Sequence, residues 1–247
     1  MDPAYYVAAS SLKARSFQLD TLANNLANTA TVGYKPERSF FSVFNKAVQA
    51  GRDLPHNRYV NDGTVYGDRG LDFQQAPFRE TGQKLDVAIE GNAWFVLRTP
   101  AGERVTRDGR FRLGSGGRLE SLEGFPVLGK NGQVISPDPA QGELWIGSDG
   151  TLSQNGTPIG QLELRAYAEP AALRREGTLL FDPAGALPAE VKAQVAQGYL
   201  EQSGVDMSAL MVDMIRINRL YELSMKVAST LTNDLDARSI NDIAIGR

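Results

Sequence analysis

The run GFPVLGKN at residues 124–131 places Gly124, Gly129 and Lys130 in the register of a phosphate-binding loop. In such a loop backbone N–H groups cradle phosphate oxygens, the lysine reaches the outer phosphates and a following hydroxyl holds magnesium. Asn131 stands where that hydroxyl is needed, and Gly132 makes a turn where a helix must start, so the segment reads as a β-hairpin. GSGG at 114–117 could form an anion nest, but between FRL and RLE it reads as a hairpin tip. NDGTVYGD at 61–68 offers carboxylate and amide oxygens without the alternating spacing and terminal glutamate of a helix-loop-helix calcium site.

Other chemistries find less support. The single histidine, His56, lies in the polar run LPHNRY, and the chain has zero cysteines, which excludes disulfides, thiol catalysis and histidine- or cysteine-rich metal sites. No serine occupies a GxSxG elbow. Carboxylates alone could serve a glycosidase, but two must face each other across a cleft, and scattered Asp and Glu are usually solvated. Catalytic, cofactor-binding and metal-binding residues are expected to be absent, and with them any cofactor. A net charge of −3 with no basic run argues against a nucleic-acid surface.

The elements that would carry function lie at the two ends. Tyr5, Leu12, Leu19 and Leu26 recur every seven residues, with Ala8 and Leu22 in part of a second seam and Arg15 interrupting it. This predicts a helix over 4–29, about 39 Å long, stopping before the left-handed Gly33. Near the other end Met207, Met214, Tyr221, Ala228 and Leu235 form one heptad series and Leu210, Ile217, Ser224 and Leu231 the second, with Asp206 as N-cap. That helix, over 207–235, would run about 43 Å. Neither the opening MDPAYYVAASSLKARS nor any other stretch has the pattern of a cleaved secretory signal or a spanning helix.

Between the ends the texture is β. Turn signals recur as Asp108-Gly109, Asn131-Gly132, Asp149-Gly150 and Asn155-Gly156, flanked by short segments such as VAIEGNAWFVL and QLELRAY. The expected fold is a mainly β, antiparallel central domain, barrel- or sandwich-like, flanked by long terminal α-helices that pair as an antiparallel coiled coil. The expected division is an N-terminal helical part at 1–33, a connector at 34–62, the β domain at 63–200 and the C-terminal helix at 201–247. Met211, Ile215, Leu220, Met225 and Val227 lie beside the C-terminal seam. This surplus apolar surface fits either neighbours from other chains or a hairpin packed on the β domain.

LANNLANTATVGYK at 22–35 resembles the N-terminal signature of the bacterial flagellar rod and hook family, through Ala23, Asn24, Asn25, Leu26, Ala27, Asn28, Thr31, Gly33, Tyr34 and Lys35. LDVAIEGNAWFVL at 85–97 with TRDGRFRL at 106–113 resembles its central β segment. QGYLEQSGVD with MVDMIRINRLYE, within 197–222, resembles its C-terminal signature. The shortness of the chain resembles a rod component rather than a hook subunit, and the proximal class more than the distal.

The resemblance implies a non-enzymatic structural subunit that polymerises helically into a hollow drive shaft crossing the periplasm. It implies export by the flagellum's own apparatus without a cleaved signal. The implied partners are copies of itself, other rod subunits and that export apparatus, with no nucleic acid and no membrane insertion. The expected assembly interface is Leu12, Leu19, Leu22, Asn24, Asn25, Leu26 and Asn28 at one end. At the other it is Met207, Leu210, Met214, Ile217, Tyr221, Leu231 and Leu235. Asn side chains both donate and accept, so they could set register between packed helices, or they could be solvated. The readings from other classes are a secreted β-rich carbohydrate-active enzyme, favoured by a catalytic carboxylate pair in a cleft, and a fibre subunit outside the flagellum.

Overall fold

The computed structural model describes residues 3–46, 60–138 and 141–245. The chain forms two compact units. The first draws on Met1–Ala27, Glu37–Gly70 and Asp206–Arg247, the second on Asn28–Pro36 and Leu71–Val205.

The first unit contains helix α1, Pro3–Ala27, helix α2, Met207–Ile245, and a two-stranded ribbon of Glu37–Lys46 and Val60–Leu71. Proline suits the first position of α1, where the missing N–H would have had no partner, and the alanines and leucines that follow favour helix. The helix gives way where Asn28 and Thr31 offer the backbone a turn: Thr31 N–H donates to Asn28 O at 3.2 Å and Thr31 Oγ1 to Asn28 Oδ1 at 3.2 Å. At the start of α2, Asp206 Oδ1 accepts from the N–H groups of Ser208 at 2.9 Å and Ala209 at 3.1 Å, the expected N-cap. The residues expected to form a connector therefore include a strand at Glu37–Lys46.

The expected coiled coil does not form. Helix α1 has 25 residues and α2 has 39, where the heptads predicted matched lengths. The most buried side chains of α1 are Ala14, Thr21 and Asn25, whereas Leu12, Leu19, Leu22 and Leu26 of the leucine series are only half-buried. A two-stranded coiled coil would bury its a and d leucines most deeply. Here the ribbon competes for α1: the Asn25 amide pairs with the backbone of Glu37, and the Arg69 guanidinium lies 4.6 Å from the Phe17 ring centroid. At Asn25, therefore, the side chain that α1 buries is one that pairs with the ribbon and not a leucine of the heptad series.

The second unit is β-rich, as expected. Its largest sheet has six strands in the order Arg174–Glu176, Leu180–Asp182, Gly102–Thr106, Ala93–Thr99, Leu164–Tyr167 and Pro188–Ala189. The order does not return on itself, so this sheet is not a closed barrel. The apolar run AWFVL occupies the strand Ala93–Thr99, whose period of two sends Ala93, Phe95 and Leu97 into one core and Trp94 and Val96 into another. Phe73, Trp94 and Phe181 meet edge to face in the second core, with centroids 5.1–5.9 Å apart.

Three of the four turn signals make hairpins. Asn131-Gly132 joins Leu128–Gly129 to Gln133–Val134, so the GFPVLGKN segment is a hairpin and not a phosphate loop. Asp149-Gly150 and Asn155-Gly156 join Leu144–Ile146, Thr151–Gln154 and Thr157–Gln161, with φ of 50° at Asn155 and 78° at Gly156. GSGG also turns a hairpin, closing Phe111–Leu113 on Leu119–Ser121. Asp108-Gly109 does not. It carries the chain between sheets, and its glycine is required for close approach, since a Cβ there would lie 1.6 Å from Val87 O.

Candidate assembly surface

Helix α2 has two unlike faces. Leu210 is buried, and Met214, Ile217, Leu220, Tyr221, Ser224, Ala228 and Leu231 are half-buried, a stripe at alternating three- and four-residue spacing. Within this unit the stripe reaches α1 where Ser224 Oγ comes within 3.5 Å of Ser11 Oγ. Elsewhere on α2, Met207, Met211 and Ile215 follow one another at four-residue spacing and stand exposed, as do Val212, Leu223, Met225 and Val227. Val212 is 65% exposed, Leu223 60% and Ile215 57%. Aliphatic side chains in such number on one helix favour removal from water by a neighbour.

The residues expected at the interface fall into three groups. Met207 and Asn24 are exposed; Leu12, Leu19, Leu22, Leu26, Asn28, Met214, Ile217, Tyr221 and Leu231 are half-buried; Leu210 and Asn25 are buried. Leu235 belongs to α2, and its side chain lies outside the described residues. Asn25 spends both ends of its amide inside its own unit. Nδ2 donates to Glu37 O at 2.8 Å, and Oδ1 accepts from Glu37 N–H at 2.9 Å. The exposed apolar residues beside the seam thus offer more surface than the seam itself, which the periodicity alone did not rank.

Sequence reasoning missed a second constellation, buried in the β-rich unit. Gly33, with φ of 68°, runs against the 107–108 backbone so closely that a Cβ would sit 2.6 Å from Arg107 C. This seats Tyr34 and Lys35, which are 1% and 0% exposed. Lys35 Nζ donates to Glu201 Oε1 at 2.6 Å and to Gln74 O at 2.8 Å. Arg107 Nη1 donates to Glu201 Oε2 at 3.2 Å, and Nη2 to Gly91 O at 2.6 Å. Arg175 stacks over the Tyr34 ring at 4.6 Å and donates to Lys35 O. Burial pushes the Lys35 ammonium below its usual pKa; the Glu201 charge and hydrogen bond oppose that shift, and Arg107 adds to it. Burial likewise lowers Arg107. The available signal was that each of the three family-like segments contributes one charged residue: Lys35, Arg107 and Glu201.

A groove of about 570 Å³ in the same unit is lined by Arg79, Glu80, Asp86, Arg110, Phe111 and Leu122, among others. Arg110 is held there by Asp108, with Nε to Oδ1 at 2.9 Å and Nη2 to Oδ2 at 2.7 Å. Among the described residues no group of three or more His, Cys, Asp or Glu is arranged to hold a metal ion, and no helix is long and apolar enough to cross a membrane.

Comparison with known proteins matches three family models along the chain. "Flagella basal body rod protein" covers residues 6–35, "Flagellar hook protein FlgE/F/G D1 domain" residues 88–154, and "Flagellar basal body rod FlgEFG protein C-terminal" residues 196–241. Among curated relatives, the flagellar basal-body rod protein FlgF of Mesorhizobium japonicum is 34% identical over 90% of each chain, and FlgF of Rhizobium meliloti is 35% identical, also over 90% of each. The flagellar basal-body rod protein FlgG of Borreliella burgdorferi is 31% identical over 94% of this chain and 96% of its own.

Proposed function

The chain belongs to the flagellar basal-body rod protein family and is a structural subunit of the rod, and from that premise we propose that it polymerises helically into a hollow shaft carrying torque across the periplasm. Its partners are copies of itself and other rod subunits, contacted through the helical unit. It acts without catalysis, nucleic acid or membrane insertion, and it reaches the rod through the flagellar export apparatus. Its place is in the proximal section of the shaft.

The observation that carries this reading is the run of exposed aliphatic side chains on α2, chiefly Val212, Ile215 and Leu223. A subunit that polymerises needs a face that is tolerated in water as a monomer and covered in the assembly. Ile215→Asp places a charge on that face without touching the buried stripe. The expected result is a normally folded, exported protein that is missing from purified basal bodies. Rods of normal length containing the variant overturn the reading. Tagged protein counted in basal bodies and placed relative to the ring structures tests the proximal position.

A further inference from the structure

We propose that the segment Asn28–Pro36 is a latch, opening and closing on the β-rich unit as one cooperative step, and that Glu201 is the residue on which it closes.

The chain passes between its two units after residues 27, 36, 70 and 205. Within the β-rich unit, the segments flanking these four passages are fastened to one another. Ser203 Oγ donates to Asn28 O at 2.8 Å, and Gly204 N–H to Tyr34 O at 2.9 Å. Gly33 N–H donates to Glu201 O at 2.9 Å, and Asp72 N–H to Pro36 O at 2.9 Å. The carboxylate of Glu201, 1% exposed, gathers the rest: Lys35 and Ala76 N–H on Oε1 at 2.6 and 3.0 Å, and Arg107 on Oε2 at 3.2 Å.

Two physical features make this a discrete step. Releasing Lys35 lets its ammonium and the Glu201 carboxylate regain hydration, so opening here recovers a solvation free energy that opening an apolar core does not. Lys35 and Ala76 also share Glu201 Oε1, and the backbone of Glu201 holds Gly33, so losing the Glu201 contact exposes the neighbouring bonds to water. Because the partner of Lys35 lies 166 residues further along the chain, the latch cannot close until the Tyr199–Glu201 strand is in place. The N-terminal signature therefore stays unseated until nearly the whole chain has arrived.

Native-state hydrogen exchange on the full-length protein tests this. In the wild type the amides of Gly33, Ala76 and Gly204 should share one protection factor and one denaturant dependence, both smaller than those of the Ala93–Thr99 strand. Glu201→Gln leaves two buried cations without their anion and should lower protection of all three by about tenfold or more, leaving that strand unchanged. Lys35→Met keeps the Glu201–Arg107 pair balanced and should lower it less. If Glu201→Gln fails to fold, the wild type and Lys35→Met still decide. Unequal opening of the three amides in the wild type overturns the proposal. So does loss of strand protection by the same factor, or a larger effect from Lys35→Met than from Glu201→Gln.

Discussion

The side chain of Asn25 pairs with the backbone of Glu37 as a neighbouring strand would: its Nδ2 donates to Glu37 O at 2.8 Å while its Oδ1 accepts from Glu37 N–H at 2.9 Å. This asparagine, expected at a contact between subunits, fastens a helix to the ribbon that follows it within its own unit. Asn25→Ala loses both bonds, and Asn25→Asp keeps the acceptor but sets a buried carboxylate oxygen against Glu37 O where the donor was. Denaturant unfolding should show a loss of about 1–3 kcal/mol for Asn25→Ala and more for Asn25→Asp. Asn24→Ala, at an exposed position of the same helix, should change stability by about 0.5 kcal/mol or less. Equal losses at Asn24 and Asn25 would show that the pairing with Glu37 is unimportant.

Gly33 and Gly82 separate close approach from backbone strain. Both have positive φ, 68° and 66°, but a Cβ at Gly33 would meet Asp108 N at 2.7 Å, while nothing lies within 4 Å at Gly82. Gly82→Ala should cost about 1 kcal/mol from the left-handed conformation alone. Gly33→Ala adds displacement of the 107–108 backbone and should cost at least about 2 kcal/mol more. Urea midpoints at constant m-value measure both. Similar shifts for the two variants would mean that the 107–108 backbone moves aside freely.

Lys35 gives a pH signature. Its folded pKa lies below the ordinary 10.5, chiefly from burial. Between the folded value and 10.5 the unfolded chain therefore holds more protons, and stability contributed through this residue rises with pH. Other groups titrate in that range, so the useful quantity is wild type minus Lys35→Met. This difference should be flat below the folded pKa, climb toward 10.5 and level off above it. A difference that falls as the solution becomes alkaline would show that pairing with Glu201 outweighs burial.

The two faces of α2 should respond oppositely. Leu210 is 6% exposed, and Leu210→Ala removes buried packing worth about 2–4 kcal/mol, so the isolated protein should melt earlier. Val212→Ala, at 65% exposure, should leave the isolated protein within about 0.5 kcal/mol of wild type and weaken incorporation into basal bodies. Thermal melting paired with basal-body yield reads both effects. Unchanged incorporation of Val212→Ala would move the interface elsewhere on the helix.

Local interactions made much of this protein legible in its residues. The turn at Asn155-Gly156 follows from which residues tolerate positive φ, and the start of α2 from a carboxylate reaching the first free N–H groups. The helices, the β-rich centre and the resemblance to rod proteins were legible for the same reason: each rests on patterns a few residues wide. The matched coiled coil was not sound, because a heptad marks which face of a helix is apolar and not what will cover it. The strand Glu37–Lys46 supplied a competing partner, and Asn25 rather than the leucines became buried. Likewise Gly33, Tyr34 and Lys35 could be recognised as a signature without disclosing their purpose. That purpose depends on Arg107 and Glu201, distant in sequence, whose charges are tolerable in the interior only when the fold brings all three together. Tertiary structure alone decides such a site, since the stability of each member depends on partners that no local pattern specifies.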